Sequence, residues 1–279
     1  MYLTHFGLAE PPFGITPDTA FIYAGDAHQE ALNTLLIGLS GGEGFIKITG
    51  EVGTGKTLLL RRFLATLGED HVVAYLPNPM LEPRILLIAI AEELGLQLES
   101  HGYQFHIVKS INQHLLAMAA KGKTVVVCLD EAQCMPLESL ETLRLLSNLE
   151  TEKHKLLQVV MFGQPELDEK LANPAVRQLR QRIVYHYRMP GLREQEAAHY
   201  LAHRLRVAGH PGGNVFAPAA SRLIYRLSGG IPRLINVLAH KSLLLAYGEG
   251  KTTVGRGHAQ LAGRDTEGLC FVPWWRRFG

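Results

Sequence analysis

The chain contains 279 residues, of which 47% are hydrophobic and 19% charged, and its formal net charge is +2. This apolar content is enough for a real core in one large or two smaller domains, while the near-neutral charge says little about partners. The cysteines, Cys128, Cys134 and Cys270, are too few and too irregularly spaced for a disulfide framework or a zinc site, so we expect a reducing compartment.

Residues 1–40 are predicted to form an N-terminal extension, rich in proline and aromatic residues at its start and helical in pattern over His28–Leu39. No basic region followed by an apolar segment marks a signal peptide there. No run in the chain approaches the roughly 18 uninterrupted apolar residues of a membrane-spanning helix. We therefore expect a cytoplasmic protein without a transmembrane segment, whose extension packs as a strap along the domain that follows.

The segment Gly50–Thr57 reads GEVGTGKT and fits the pattern G-x-x-x-x-G-K-[ST]. The run Phe45–Thr49 before it is predicted to be a short strand, and Leu58–Leu67 after it to be a helix. A strand, a glycine-rich turn and a helix in this order are the context in which the pattern indicates phosphate binding. The sequence therefore predicts a P-loop for a nucleoside triphosphate, and the lack of an N-K-x-D stretch disfavours guanine, so we expect ATP.

Each residue type in the P-loop has a physical role. The glycines let successive backbone N–H groups wrap around phosphate oxygens, and the following helix points its positive end at the nucleotide. Lys56 places a positive charge on the β- and γ-phosphates, and the hydroxyl of Thr57 is placed to bind Mg²⁺. The candidate nucleotide-binding residues are Gly50, Glu51, Val52, Gly53, Thr54, Gly55, Lys56 and Thr57.

For the N-terminal extension, residues 1–40, contact with the base of this nucleotide is an alternative to the role of a structural strap.

A second motif follows Thr124–Leu129 (TVVVCL), an apolar and β-branched run typical of a strand buried on both faces. The run ends in Asp130 and Glu131, at the carboxyl edge of a sheet, where open α/β sheets bind their ligands. Alone, this pair would indicate an ordinary solvated acidic turn. Together with the P-loop, it predicts that Asp130 holds Mg²⁺ through water and that Glu131 polarises the water that attacks the γ-phosphate.

Strand and helix patterns alternate through residues 41–190. Further strands are predicted at His71–Leu76, Leu156–Phe162 and Ile183–Tyr187, and helices at Pro83–Leu94, Phe105–Ala120 and Leu137–Glu150. This alternation predicts an α/β fold, in which a parallel sheet with right-handed crossovers lies between two helical layers. Residues 41–190 are thus expected to be a three-layer αβα P-loop domain.

The periodicity changes after Met189, and residues 191–267 are predicted to form a small all-helical lid domain. Its helical patterns cover Glu194–Ala208, Pro218–Leu227, Ile231–Tyr247 and His258–Ala262. A nucleotide bound between an α/β domain and a lid would couple its γ-phosphate to their relative angle. Arg233, at the start of a lid helix, and Arg182, just before the last strand, suit such a switch. A solvated or salt-bridged arginine is the alternative at both positions.

Residues 268–279 form a C-terminal tail that includes CFVPWWRRFG. Trp274 and Trp275 beside Arg276 and Arg277 suit weak, reversible contact with an anionic membrane surface or a groove on a partner. A disordered end is the alternative. Peripheral association with the inner membrane through this tail therefore stays open.

At these residues the chain resembles the AAA+ superfamily and, more narrowly, the ExeA/GspA group of secretion ATPases. The blocks that carry the resemblance are HFGLAEPPFGITPD, GEGFIKITGEVGTGKT, VCLDEAQ, LLRLLSNLET, LLQVVMFGQPELDEKL, LRQLRQRI and GGIPRLINVLAHKSLLLAYG, which span nearly the whole chain. The resemblance implies that Gly50–Thr57 is Walker A, Asp130 and Glu131 are Walker B, and Arg233 is sensor 2. It places Gln164 at the sensor 1 position, where AAA+ proteins more often show Asn or Thr.

The same resemblance implies a homo-oligomer in which Arg182 acts as the finger on the γ-phosphate of a neighbouring subunit, with Arg180 as the substitute candidate. Hydrolysis of Mg-ATP would drive conformational work in assembly of an MSHA-type pilus or a type II secretion-like machine, with the assembly proteins as partners. ExeA-type relatives continue into a transmembrane segment and a peptidoglycan-binding domain, whereas the sequence here ends at CFVPWWRRFG. Direct cell-wall binding is therefore not implied.

Two alternatives to this function stay open. The arginines Arg177, Arg180, Arg182 and Arg188 suit a DNA-associated AAA+ adaptor of the transposition type. Nucleic acid is the less favoured partner, because the net charge is near neutral and no further DNA-binding module is visible. The other alternative is a nucleotide-gated scaffold, in which binding matters and turnover does not.

Overall fold

The computed structural model describes residues 1–16, 18–23, 25–98, 104–148, 155–267 and 269. Contacts divide the chain into two compact units. The sheet unit comprises residues 28–50 and 59–189, and the helical unit comprises residues 1–27, 51–58 and those from 190 onward. The P-loop segment Glu51–Leu58 therefore belongs to the helical unit.

The described residues form strands and helices with the following bounds. The strands are β1 (Phe45–Gly50), β2 (His71–Leu76), β3 (Thr124–Leu129), β4 (Leu157–Gly163) and β5 (Ile183–Met189). The helices are α1 (Tyr2–His5), α2 (Asp26–Ser40), α3 (Lys56–Thr66), α4 (Pro83–Glu93), α5 (Gln104–Ala120), α6 (Leu137–Leu146), α7 (Glu166–Leu171), α8 (Arg177–Gln181), α9 (Glu194–Val207), α10 (Pro218–Ser228), α11 (Pro232–Gly248) and α12 (Arg256–Arg264).

The strands pair in parallel in the order β2-β3-β4-β1-β5. Successive side chains of a strand point to opposite faces. Along β3, Val125 and Val127 accordingly belong to a core shared with α4, α5 and α6, whereas Val126 and Cys128 belong to a core shared with α2 and α3. Burial on both faces explains why the strand is an uninterrupted apolar run. The prediction of an α/β fold with a parallel sheet between helical layers is confirmed.

The sheet brings three chain segments to one edge. Because all the strands are parallel, β1, β3 and β4 end at the same side of the sheet, with β4 between the other two. Gly50 closes β1, Asp130 follows β3, and Gln164 follows β4. This carboxyl edge is where open α/β sheets bind ligands.

The helical unit is built from α9 to α12 together with the lead-in residues 1–27. Phe6 and Phe21 of the lead-in are buried in the same core as the helices. Arg204 of α9, only 7% exposed, donates hydrogen bonds to the backbone oxygens of Pro12 (2.6 Å) and Gly14 (3.4 Å). The lead-in is therefore part of the hydrophobic core of this unit.

This arrangement differs from the expectation for residues 1–40, which we placed together as one extension on the P-loop domain. Residues 1–27 belong to the helical unit, and residues 28–40, the larger part of α2, belong to the sheet unit. The physical reason is that a small helical unit needs more apolar surface than its own helices supply. Buried aromatic side chains of the lead-in provide it.

Most predicted bounds agree with the structure to within about two residues, which is the usual uncertainty of an element end. The exception is α6, which ends at Leu146 rather than Glu150. Residues 149–154 and the tail from 270 lie outside the described residues, as do Cys270 and the tryptophans. No helix in the described part of the chain combines the length and apolar character needed to cross a membrane.

Candidate functional site

The P-loop curls around one of its own carbonyl oxygens. Lys56 Nζ donates a hydrogen bond to Glu51 O at 3.0 Å, and Thr54 Oγ1 donates to the same oxygen at 2.8 Å. Gly53 and Gly55 have φ angles of +85° and +97°, a region that glycine enters without steric cost. Lys56 is buried, with 5% of its surface exposed. The loop is thus a closed turn with an ammonium group inside it.

Within the helical unit, the start of α11 contacts this turn. The backbone N–H of Arg233 donates to Gly53 O at 3.2 Å. A Cβ atom on Gly53 would lie 2.3 Å from Arg233 Cβ, so only glycine fits. Helix α11 therefore begins at the P-loop, and helix N-termini favour anions. The side chain of Arg233 is exposed, while Thr57 lies in the first turn of α3 and is half-buried.

The acidic pair lies where β3 ends. Asp130 is 4% exposed, and its backbone N–H donates to Leu76 O on β2 at 3.0 Å. Asp130 Oδ1 accepts the N–H of Glu131 at 3.0 Å. Glu131 has a φ of +52°, and among the described residues it is the only non-glycine residue with a positive φ. Such backbone strain concentrates at functional sites.

Two glutamines hold the carboxylate of Glu131. Gln164 Nε2 donates to Glu131 Oε2 at 2.9 Å, and Gln133 Nε2 donates to the same oxygen at 2.5 Å. The backbone N–H of Gln164 in turn donates to Gln133 Oε1 at 3.0 Å. The structure thus brings Glu131 and Gln164 together. Sequence reasoning missed Gln133, and the only signal for it was its position in the VCLDEAQ block.

Helix α7 anchors this arrangement to the sheet. Lys170 Nζ donates to the backbone oxygens of Gln133 and Met135. On the same helix, Asp168 pairs with Lys47 and accepts a hydrogen bond from Thr49 Oγ1 at 3.3 Å, and both partners lie on β1. The turn after β3 and the end of β1 are therefore connected through one helix.

The two arginine-finger candidates lie in different environments. Arg182 Nη1 donates to Arg144 O at 3.1 Å and to Ser147 Oγ at 2.9 Å, so its guanidinium caps the C-terminal end of α6. Arg180, in the last turn of α8, is exposed. Of these two arginines, Arg180 is exposed and Arg182 is half-buried.

Two other titratable side chains, Cys128 on β3 and Tyr75 on β2, have raised pKa values. Burial raises the pKa of Cys128 to about 12, so this thiol is not a nucleophile at neutral pH. Burial and, to a smaller extent, the charge of Asp130 raise the pKa of Tyr75 on the adjacent strand β2. Neither group offers a rival to Glu131 as an acceptor of protons.

The residues fit a nucleotide and its magnesium ion. The P-loop adopts positive φ angles at Gly53 and Gly55, and its buried cation, Lys56, suits phosphate oxygens. Thr57 in the helical unit and Asp130 in the sheet unit each carry a side-chain oxygen, the type of ligand that Mg²⁺ prefers. No cluster of three or more His, Cys, Asp or Glu residues suited to a metal occurs in the described ranges.

Comparison with known proteins agrees with this geometry. Residues 39–171 match the family model described as an AAA domain. The chain is 44% identical over 278 residues to General secretion pathway protein A of Aeromonas hydrophila. The match covers 99% of this chain and 50% of the relative, so the chain spans about half the length of that protein.

Solved structures show the same fold at low sequence identity. Cdc6p from Pyrobaculum aerophilum has a TM-score of 0.67 at 19% identity, covering 90% of this chain and 71% of that one. The Aeropyrum pernix ORC2 protein has a TM-score of 0.61 at 18% identity, covering 91% and 72%. The Thermotoga maritima RuvB motor has a TM-score of 0.57 at 15% identity, covering 88% and 70%. The chain therefore has the α/β P-loop AAA fold.

Proposed function

We propose that this protein is an AAA+ ATPase that hydrolyses Mg-ATP to drive conformational work in secretion-related assembly. The observation that carries the proposal is the carboxylate of Glu131. It follows the buried Asp130 at the end of β3, has a strained backbone, and is held by two side-chain amides. A protein that only binds nucleotide needs a carboxylate for the metal, but it does not need a second one fixed at such a cost in strain.

Each residue of the proposed site would have its own role in ATP hydrolysis. Lys56 and the P-loop amides would hold the phosphates, and Thr57 and Asp130 would hold Mg²⁺. When bound, this ion supplies positive charge that offsets the charge developing on the phosphate oxygens. Glu131 would accept the proton of the attacking water.

Two further residues complete the proposed site. Gln164 would help to orient the attacking water, because its amide already lies beside the carboxylate of Glu131. Arg233, the sensor 2 candidate, would stabilise the γ-phosphate from the start of α11. The contact between Arg233 and Gly53 supports this role, since it puts that helix start at the P-loop.

Two variants test turnover separately from binding. Glu131→Gln is expected to retain ATP and to lower the hydrolysis rate by about 10²- to 10⁴-fold, the usual contribution of a general base. Lys56→Ala is expected to weaken ATP binding itself. Phosphate release and fluorescent-nucleotide titration measure the two effects. Glu138→Gln on α6 and Lys109→Ala on α5, both at exposed positions, are the matched controls. A Glu131→Gln protein that hydrolyses ATP like the wild type would refute the ATPase proposal.

An arginine supplied by a neighbouring subunit would couple hydrolysis to assembly. The exposure of Arg180 supports that residue for the role, whereas the hydrogen bonds of Arg182 to α6 support a structural role. We expect Arg180→Ala to lower turnover by about 10³-fold, as loss of a finger does. Mixing Arg180→Ala with Glu131→Gln should restore part of the activity, because each variant supplies what the other lacks. Failure of the mixture to recover would contradict action in trans.

The cellular role proposed here rests on similarity. Identity to General secretion pathway protein A supports secretion-related assembly at the inner membrane, with assembly proteins as partners. The sequence blocks also resemble MshM of MSHA-type pilus biogenesis, and we propose a role in biogenesis of such a pilus as the finer assignment. Deletion of the gene followed by complementation with wild type or Glu131→Gln tests it, with pilus display and protein secretion as separate readouts. Normal piliation and secretion in the deletion strain would exclude both roles.

A further inference from the structure

The turn after β3 contains a residue with no assigned role, Gln133, whose side chain contacts the carboxylate of Glu131. Gln133 lies in the short 3₁₀ segment Ala132–Cys134, and its side chain is half-buried. Its amide nitrogen donates to Glu131 Oε2 at 2.5 Å, while its amide oxygen accepts the backbone N–H of Gln164 at 3.0 Å. The side chain therefore connects the ends of β3 and β4 at the carboxyl edge of the sheet.

The orientation of this amide is fixed by its surroundings. The backbone N–H of Gln164 requires an acceptor, so the oxygen of Gln133 must face it and the nitrogen must face Glu131. The second amide hydrogen has an acceptor in Cys134 Sγ, with a nitrogen–sulfur distance of 3.8 Å. Lys170 Nζ donates a hydrogen bond to the backbone oxygen of Gln133. Neither a flip of the amide nor a shift of the turn is compatible with these contacts.

The amides of Gln133 and Gln164 bind one oxygen of the Glu131 carboxylate and leave the other oxygen available for proton transfer. Both Gln133 and Gln164 donate to Oε2 of Glu131, and within the described ranges no hydrogen bond reaches Oε1. Amide donors hold the charged carboxylate without adding a competing charge. This arrangement sets the rotamer of Glu131 and leaves Oε1 to accept a proton from water.

We propose that Gln133 is a positioning residue for ATP hydrolysis, which holds the Glu131 carboxylate in the orientation required to activate water. This inference rests on the proposed function, because it concerns the same reaction. Gln133 would not contact the nucleotide, and it would act only through Glu131. Its removal should therefore affect the chemical step and leave nucleotide binding unchanged.

The test compares Gln133→Ala and Gln133→Glu with the wild type and with Gln113→Ala, an exposed glutamine on α5. Misplacing a catalytic group by about 1 Å costs up to about 100-fold in rate, so we expect kcat to fall by about 10- to 100-fold in Gln133→Ala. The glutamate variant has the same size but puts a carboxylate against Glu131, and its loss should be at least as large. ATP affinity, measured by titration, should stay within about twofold, because Gln133 would not contact the nucleotide. The melting temperature of the nucleotide-free protein shows whether each variant is folded under the assay conditions.

The outcomes separate this inference from the proposed function. A loss of kcat at unchanged ATP affinity supports positioning by Gln133. Wild-type kcat in either variant, an increase in kcat, or a parallel loss of ATP affinity overturns it. If Gln133→Ala does not fold, the isosteric Gln133→Glu decides alone. Equal hydrolysis by wild type and Glu131→Gln would instead refute the ATPase proposal itself.

Discussion

The P-loop and the end of β3 both contain backbone in the left-handed region, but only the P-loop reaches it with glycines. Gly53 and Gly55 adopt positive φ values without a side chain to hinder them. Glu131 adopts a φ of +52° with a full side chain, which costs about 1–2 kcal/mol for an L-residue. The first segment is therefore shaped by its own composition, whereas the second is shaped by what surrounds it.

The surroundings of Glu131 come from distant parts of the sequence. Gln164 follows a different strand, and Lys170 lies on the helix after it. Both contact the turn that contains Glu131 and Gln133. A strained conformation persists only where tertiary contacts hold it. The comparison teaches that two segments of the proposed site can differ in what determines their backbone geometry, which is local composition in the P-loop and tertiary contacts at Glu131.

The largest effect, on ATP affinity, is expected for Gly53→Ala, which replaces a glycine that the P-loop backbone requires. The new Cβ would lie 2.3 Å from Arg233 Cβ, and the φ of +85° disfavours any side chain. Strain of about 1–3 kcal/mol in the loop should weaken ATP binding by about tenfold or more. Nucleotide titration measures the affinity. Gly248→Ala, at the end of α11 with open space around it, is the matched control and should bind ATP normally. Equal affinity of the two variants would show that the contact between Gly53 and Arg233 is unimportant for binding.

A smaller effect, on stability and kcat, is expected for Gly163→Ala, which disturbs the tertiary contacts around Gln133. This glycine ends β4, and a Cβ there would lie 2.7 Å from Leu167 Cδ2 and 3.3 Å from Gln133 Oε1. Its φ is ordinary, so only packing opposes the substitution. We expect about 1–3 kcal/mol of destabilisation, as overpacking usually costs, and a lower kcat because the amide of Gln133 must move.

Denaturant unfolding and steady-state kinetics check the Gly163→Ala prediction. Gly68→Ala, which has nothing within contact distance, is the control for stability. If kcat stays normal while stability falls, the amide of Gln133 tolerates displacement, and the closeness of Gly163 to it has no catalytic meaning.

The contrast between locally determined and tertiary geometry also explains which features could be predicted from the sequence. The strand preceding the P-loop, the glycine pattern and the buried run of β3 are all contiguous, so their periodicity and composition predict both fold and P-loop. Gln133 escaped prediction because nothing in the sequence shows that a 3₁₀ turn points its side chain back at Glu131. The capping role of Arg182 was equally hidden, since its partners on α6 lie far away in sequence. Contacts across strands and helices are set by the packed fold, and single-sequence patterns do not contain them.

The smallest predicted effect isolates the backbone strain at Glu131. Glu131→Gly and Glu131→Ala both lack the carboxylate and its hydrogen bonds, so they differ only in backbone preference. At a φ of +52°, glycine should give the more stable protein by about 1 kcal/mol, because alanine keeps the left-handed penalty.

The same pair of substitutions at Glu138, in the first turn of α6, should give the opposite sign. Glycine in a helix is less stable than alanine by about 0.5–1 kcal/mol. Denaturant unfolding without nucleotide measures both pairs under one condition. Glycine destabilising at both positions would mean that residue 131 carries no strain in solution, and the contrast between a locally encoded P-loop and a tertiary-held glutamate would then collapse. Glycine stabilising at 131 alone would establish that the fold, through Gln133, Gln164 and Lys170, keeps this residue in a conformation that its own backbone disfavours.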